Sequence, residues 1–326
     1  MAPYQLLTPD LILDAVERCC QVRCDGRLQG LNSYENRVYQ VWVEDAEPLV
    51  VKFYRPRRWS VAAILEEHEF ALELAGREIP VIAPLQFQGR TLHEHGGFHF
   101  AAYPRRGGRT PEFEDAETLQ WLGRFIARIH AIGGLSRFGH RPALDLRTFG
   151  REPVEMVRSS GMVPEDLRAA YDSVVDDLLD RIERRWADAG AVRSLRLHGD
   201  CHAGNILWTD AGPHFVDLDD ARMGPAVQDL WMCLSGDRET QQSQLLSLLE
   251  GYCEFREFDA AELMLIEALR SLRIVHYAGW LASRWDDPAF PASFPFFNTQ
   301  RYWQDHVLSL REQAAALDEP PLQWLG

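Results

Sequence analysis

At 326 residues the chain is long enough to bury a large core and to hold one large or two ordinary domains. With 46% hydrophobic and 25% charged residues it has a globular composition. It has neither an apolar run that would span a bilayer nor a basic, then apolar, start, which points to the cytoplasm and away from the membrane. A net charge of −15 argues against nucleic acid as a partner, and the six cysteines lack the paired CxxC spacing that would signal zinc and are expected to be reduced.

Thr8 to Cys20 is predicted to be an amphipathic helix with Leu11, Ile12, Ala15, Val16 and Cys19 on one side. From Arg23 the pattern turns strand-like. A polar bend at residues 31–36 precedes a strand at residues 37–43, and a turn at Glu44 to Pro48 leads into a third strand at residues 49–54. Lys52 lies in that third strand. It is the only lysine among 34 basic residues, and a compact point charge suits a narrow slot for phosphate oxygens better than the wide guanidinium fork used elsewhere. The three-stranded meander with a strand lysine predicts an ATP lobe. The bend lacks a G-x-G-x-x-G string, so Ser33, Tyr34 and Asn36 are the candidates to meet phosphate through side chains and backbone N–H groups.

Ser60 is placed to cap a helix reaching Ala75. Among Glu66, Glu67, Glu69 and Glu73 on that helix, Glu67 is chosen as the partner that steadies Lys52. Phe98 to Tyr103 reads as a buried strand. The following Pro104 to Arg109 reads as a linker between a lobe of residues 1–104 and a mainly helical lobe of residues 105–326, with Tyr103 to Arg105 as adenine contacts. Helices are expected at Ala116–Ile132, Pro164–Ala187 and through the tail from Val227 to Leu317. His130 is taken as a packing residue, and the tail's aromatic group as core that also borders a cleft.

The chemistry concentrates in His198-Gly199-Asp200-Cys201-His202-Ala203-Gly204-Asn205 and the apolar pair of strands ending on Asp217. A catalytic-loop aspartate, an asparagine five residues on and a further aspartate form the arrangement of phosphoryl-transfer kinases. With a turn centred on Ala211, Asn205 and Asp217 would face each other with Cβ atoms about 5 Å apart. An amide oxygen beside a carboxylate suits Mg²⁺ shared with phosphates. Asp200 is left to accept a proton. Of Asp219 and Asp220, at least one is expected to be a solvated turn residue. Asp229 is expected to cap a helix or to accept N–H groups of the catalytic loop.

These strings resemble the aminoglycoside-phosphotransferase and choline-kinase branch of the protein-kinase-like fold. The strings at residues 30–39, 51–56, 224–231 and 287–291 are similar to the bacterial stress-response protein kinases within that branch. The resemblance implies an α+β, bilobal fold and an ATP- and Mg²⁺-dependent Ser/Thr protein kinase that includes itself among its acceptors. It implies Asp200 as proton acceptor, Asn205 and Asp217 as Mg²⁺ ligands, and Ser33 as the phosphate-loop contact. His202 is assigned to orient Asp200 or to neutralise developing charge. Ala203 stands where the family has proline, and Asp-Leu-Asp replaces Asp-Phe-Gly. Protein substrates, ATP and a monomeric state complete the expectation. A kinase of small hydroxyl compounds and a pseudokinase without turnover are the rival readings.

Overall fold

The computed structural model describes residues 4–324. Thr8 caps helix α1 (Pro9–Cys20), its hydroxyl accepting the Leu11 N–H, and Ile12, Ala15, Val16 and Cys20 form the buried stripe. Strands β1 (Cys24–Leu31), β2 (Arg37–Val43), β3 (Leu49–Phe53), β4 (His93–His95) and β5 (Phe98–Pro104) make one antiparallel sheet in the order β1-β2-β3-β5-β4. Alternation along β3 sends Val51 and Phe53 into the cluster formed with α1. Lys52 therefore points to the other face. Helix α2 (Val61–Ala75) covers that face, capped by the Ser60 hydroxyl on the Ala63 N–H.

After β5 an extended segment leads to the helices α3 (Ala116–Gly133), α4 (Glu152–Ser160), α5 (Glu165–Asp188), α6 (Val227–Trp231), α7 (Arg238–Cys253), α8 (Ile266–Arg284), α9 (Ala289–Ser293) and α10 (Gln300–Ala316). Between α5 and α6 run the short strands β6 (Leu195–Leu197), β7 (Ile206–Thr209), β8 (Gly212–Phe215) and β9 (Arg222–Gly224). They pair as β6 with β9 and β7 with β8. Sequence periodicity had not indicated α4, β4 or the β6–β9 pair; strands of three residues are too short for alternation to register.

The β7–β8 hairpin is pinned on both flanks by the chain that comes before and after β5. Phe215 exchanges backbone bonds with Pro80 and Ile82 at 2.8 and 2.9 Å, and Trp208 does so with Arg109 at 2.7 and 2.9 Å. The helices pack so closely that a Cβ on Gly251 of α7 would lie 2.0 Å from the Gln120 carbonyl oxygen of α3. Among the described residues no helix is long and apolar enough to cross a membrane.

Candidate active site

Lys52 is only 6% exposed and joins three elements. Its Nζ lies 2.9 Å from Asp217 Oδ1, 3.3 Å from Asp219 Oδ1 and 3.7 Å from Glu67 Oε1. Burial works against its charge, yet the three carboxylates lift its pKa well above the ordinary lysine value. Glu67 is buried too, 2% exposed, and also lies 3.5 Å from Arg141. Burial pushes its carboxyl up to about 7 against the pull of Lys52 and Arg141. The neighbouring Glu66 is no Lys52 partner: it accepts the backbone N–H groups of Gly139, His140 and Arg141 at 2.6 to 3.1 Å. The two adjacent glutamates thus fix α2 to the strand lysine on one side and to the helical half on the other.

The loop from His198 to Asn205 hangs from Asp229 of α6. Its carboxylate accepts the N–H groups of His198 (2.9 Å) and Gly199 (2.8 Å), and the buried His130 sits 3.0 Å away. Burial keeps His130 neutral below its ordinary pKa, against Asp229. It therefore donates from Nε2 while Nδ1 takes the Tyr252 hydroxyl at 3.0 Å. Gly199 has φ +86°, and a Cβ there would meet the Asp220 carbonyl oxygen at 2.2 Å, so only glycine fits. His198 accepts the Asp200 N–H on Nδ1 (3.4 Å) and so donates from Nε2 to the Val216 carbonyl at 2.9 Å.

The Asp200 carboxylate is engaged from both sides. Arg273 Nη1 of α8 lies 2.5 Å from Oδ1, while His202 Nε2 and Asn205 Nδ2 each lie 3.4 Å from Oδ2. His202 takes the Gly204 N–H on Nδ1 at 2.9 Å, which leaves its Nε2–H facing the carboxylate. Burial raises the pKa of Asp200, but the His202 hydrogen bond and the Arg273 charge overcome it and hold the group below the usual carboxylate range. Cys201, inside the same loop, is wholly buried and its thiol is pushed well up by burial, so it packs and does not react.

Asn205 and Asp217 are not opposite each other. Ile206 pairs with Phe215, so the turn is the two residues Asp210 and Ala211, and Asn205 lies across from Val216. Asp217 is one residue further on and turns into the cleft through a left-handed backbone, φ 59° and ψ 67°. Of Asp219 and Asp220, expected to include at least one solvated turn residue, Asp220 keeps a side chain 34% exposed and Asp219 is buried. It is 3% exposed, bound to Arg58, Lys52 and the Asn36 amide (3.1 Å), because Arg58 and Asn36 reach it from the sheet side. Asp220 pairs with Arg58 at 3.0 Å and Arg222 at 2.7 Å.

Two cavities meet at Asn205 and Asp217. One, of about 360 Å³, is bordered by Ser33, Lys52, Glu67, Tyr103 and Val50 on the sheet side. The other, of about 790 Å³, is bordered by Asp200, Arg273, Tyr277, Trp280 and Tyr302. The Ser33 hydroxyl donates to the Asn36 carbonyl at 3.0 Å, shaping the loop from within, and Tyr103 shares a 3.1 Å hydroxyl contact with Tyr54. The oxygens fit a hard cation. Asn205 spends its Nδ2 on the Asp200 carbonyl at 2.9 Å, and among the described residues no donor reaches its Oδ1 or the second oxygen of Asp217.

Sequence reasoning missed Arg273, Arg141 and the anchoring of the residue 32–36 loop. Glu35 there receives Trp280 Nε1 at 2.5 Å and lies 3.0 Å from both Arg284 and Arg55, while Tyr34 packs on Phe294 at 4.8 Å. These partners come from the far end of the chain, and nothing local announces them. Trp280, Phe290 and Phe294 of the tail, expected as core bordering a cleft, do serve both ends: Phe290 is 1% exposed and Trp280 borders the larger cavity.

A model of the phosphotransferase enzyme family matches residues 27–266. Stress response kinase A of Escherichia coli K12 is 49% identical over 320 residues, covering 98% of this chain and 96% of the relative. A Salmonella typhimurium LT2 protein named serine/threonine protein kinase RdoA is 49% identical over 321 residues with the same coverage. Among solved structures, amicoumacin kinase hAmiN in complex with AMP-PNP, Ca²⁺ and Ami superposes with a TM-score of 0.75 at 18% identity, over 96% of this chain and 94% of that one. A microcompartment-associated aminopropanol kinase gives 0.70 at 18% identity, over 94% and 96%. The small antiparallel sheet and large helical half are the α+β, protein-kinase-like fold expected from the sequence, and the chain belongs to the phosphotransferase enzyme family.

Proposed function

We propose that the chain is an ATP- and Mg²⁺-dependent protein kinase that transfers the γ-phosphoryl group to serine and threonine hydroxyls, its own included, as a cytoplasmic monomer in a bacterial stress response. The observation that carries the reading is Lys52, buried between Glu67 and Asp217 at the wall of one cavity, with Asp200 at the wall of the other. In this reading the lobe boundary falls at Pro104. The smaller cavity takes the nucleotide, with Tyr103 beside the base, Ser33 over the phosphates and Lys52 on the α- and β-phosphates. Asn205 and Asp217 would hold Mg²⁺, which supplies positive charge to the phosphate oxygens when bound.

The acceptor hydroxyl enters the larger cavity and gives its proton to Asp200, which His202 orients. The transfer needs position and charge more than base strength. Protein acceptors are supported by the names of the relatives at 49% identity. A kinase of small hydroxyl compounds is the second reading, favoured by the volume of about 790 Å³ and aromatic walls of the acceptor cavity, which are those of a small-molecule pocket. Labelled ATP offered with a generic basic protein, and separately with amino alcohols and aminoglycosides, separates the two. Asp200→Asn should lower turnover roughly 10²-fold or more through loss of the general base with AMP-PNP binding unchanged. Label transfer equal to wild type would remove Asp200 from the mechanism.

A further inference from the structure

Helix α8 presents Arg273, Tyr277 and Trp280 at i, i+4 and i+7 to the larger cavity, with Arg284 a turn further on paired to Glu35. Its first member makes an odd contact for a structural ion pair. The Arg273 side chain is 45% exposed, and a pair exposed that far adds little to folding. Among the described residues its guanidinium has one partner, Asp200 Oδ1 at 2.5 Å, so most of its donors are unused. The other arginines of the acceptor cavity are spent: Arg58 on Asp219, Asp220 and Glu35, and Arg222 on Asp220. Lys52 stands at the opposite end, in the nucleotide cavity. The larger cavity carries Asp200, Asp217, Asp219 and Asp220 on its wall, and where it meets the smaller one, at Asn205 and Asp217, the phosphoryl group must pass and needs a cation on the acceptor side.

We propose that Arg273 is a catalytic residue whose guanidinium moves from Asp200 to the transferring phosphoryl group, uncovering Asp200 Oδ1 for the acceptor hydroxyl as it does so. The inference rests on the phosphoryl-transfer reading above. The bond from the γ-phosphorus to the bridging oxygen breaks, its electron pair leaving with ADP. A new bond forms to the acceptor oxygen, whose proton passes to Asp200. Arg273 donates to the equatorial oxygens, where charge accumulates in a loose transition state, in the manner of an arginine supplied in cis. The arginine lies beyond the family match, which ends at residue 266.

The test uses the full chain as wild type, Arg273→Ala, Arg273→Lys, Asp200→Asn and the Asp200→Asn/Arg273→Ala double variant. Arg273→Ala is expected to lose ~10²- to 10³-fold in turnover. Its affinity for AMP-PNP should stay within about threefold, while affinity for ADP with aluminium fluoride, which mimics the phosphoryl group in flight, falls at least about tenfold. Arg273→Lys and added guanidinium should restore part of the rate. A residue that only held Asp200 in place would add nothing once Asp200 is replaced, so the double variant should be at least about tenfold slower than Asp200→Asn alone. Equal rates for the double and single variants, or Arg273→Ala within about threefold of wild type in turnover and aluminium fluoride affinity, would overturn the proposal. Should Arg273→Ala not fold, Arg273→Gln carries the same comparison. A wild-type protein that transfers no phosphoryl group and binds no ADP with aluminium fluoride would bring down the kinase reading itself.

Discussion

Replacing Asp229 by alanine isolates what holds the catalytic loop in shape. The side chain is 1% exposed and its two oxygens receive the N–H groups of His198 and Gly199 at 2.9 and 2.8 Å. Alanine leaves both donors buried without an acceptor, and leaves the His130 Nε2–H without its partner. A buried hydrogen bond to a charged group is worth about 1.5–3 kcal/mol, so the two backbone bonds together contribute about 3–6 kcal/mol. That is a large part of the 5–15 kcal/mol typical of a folded domain. Urea unfolding followed by tryptophan fluorescence should show a drop of that size with an unchanged slope, and Asp229→Asn, which keeps one acceptor oxygen, should lose about half as much. Turnover should fall in the folded fraction as well, since Gly199 and Asp200 lose their anchor. An Asp229→Ala protein within about 1 kcal/mol of wild type would refute the account, because donors as buried as these have no water to turn to.

Glu262 gives a pH-dependent counterpart. Burial raises its carboxyl from 4.5 to about 7, although it accepts the Val227 N–H at 2.8 Å. A raised acid binds more protons folded than unfolded, so stability is lost as pH climbs from about 4.5 to about 7, to the extent of roughly 3 kcal/mol. Glu262→Gln keeps the acceptor oxygen and should be the more stable protein at pH 8 with little difference at pH 4.5; thermal melts at the two pH values read this directly. Gly251→Ala should destabilise by about 1–3 kcal/mol or more, because its methyl group would meet the Gln120 carbonyl oxygen at 2.0 Å and force α3 and α7 apart. Denaturant midpoints measure it.

The parts of the site that could be read in the sequence were those carried by short spacings or by rarity. Asp200 and Asn205 are five residues apart in one loop, and Lys52 stands out because every other basic residue is arginine. Arginine's abundance hid the rest. Nothing marks Arg273, Arg141 or Arg58 among 33 arginines, since what distinguishes each is a partner brought in by the fold, 73 residues away for Arg273 and Asp200. The hairpin failed by one residue for a different reason. Asp210 to Pro213 supports a two-residue or a three-residue turn equally well, and the choice decides which residue faces Asn205. Asp219 looked surplus because a linear count of carboxylates carries no information on which are neutralised.

The anchoring of the residue 32–36 loop bears on when the protein becomes a working enzyme. Synthesis runs from the N-terminus, so the nucleotide loop, Lys52 and the stretch from His198 to Asp217 all leave the ribosome before Arg273, Trp280 and Arg284 exist. A nascent chain that ends short of α8 carries the groups for a nucleotide and a cation, but the loop above them is untethered and Asp200 has no guanidinium beside it. Under the proposed function, completion of the site thus waits on the last stretch to be made, which also supplies Leu269, Leu272, Val275 and Leu281 to the core of the helical half.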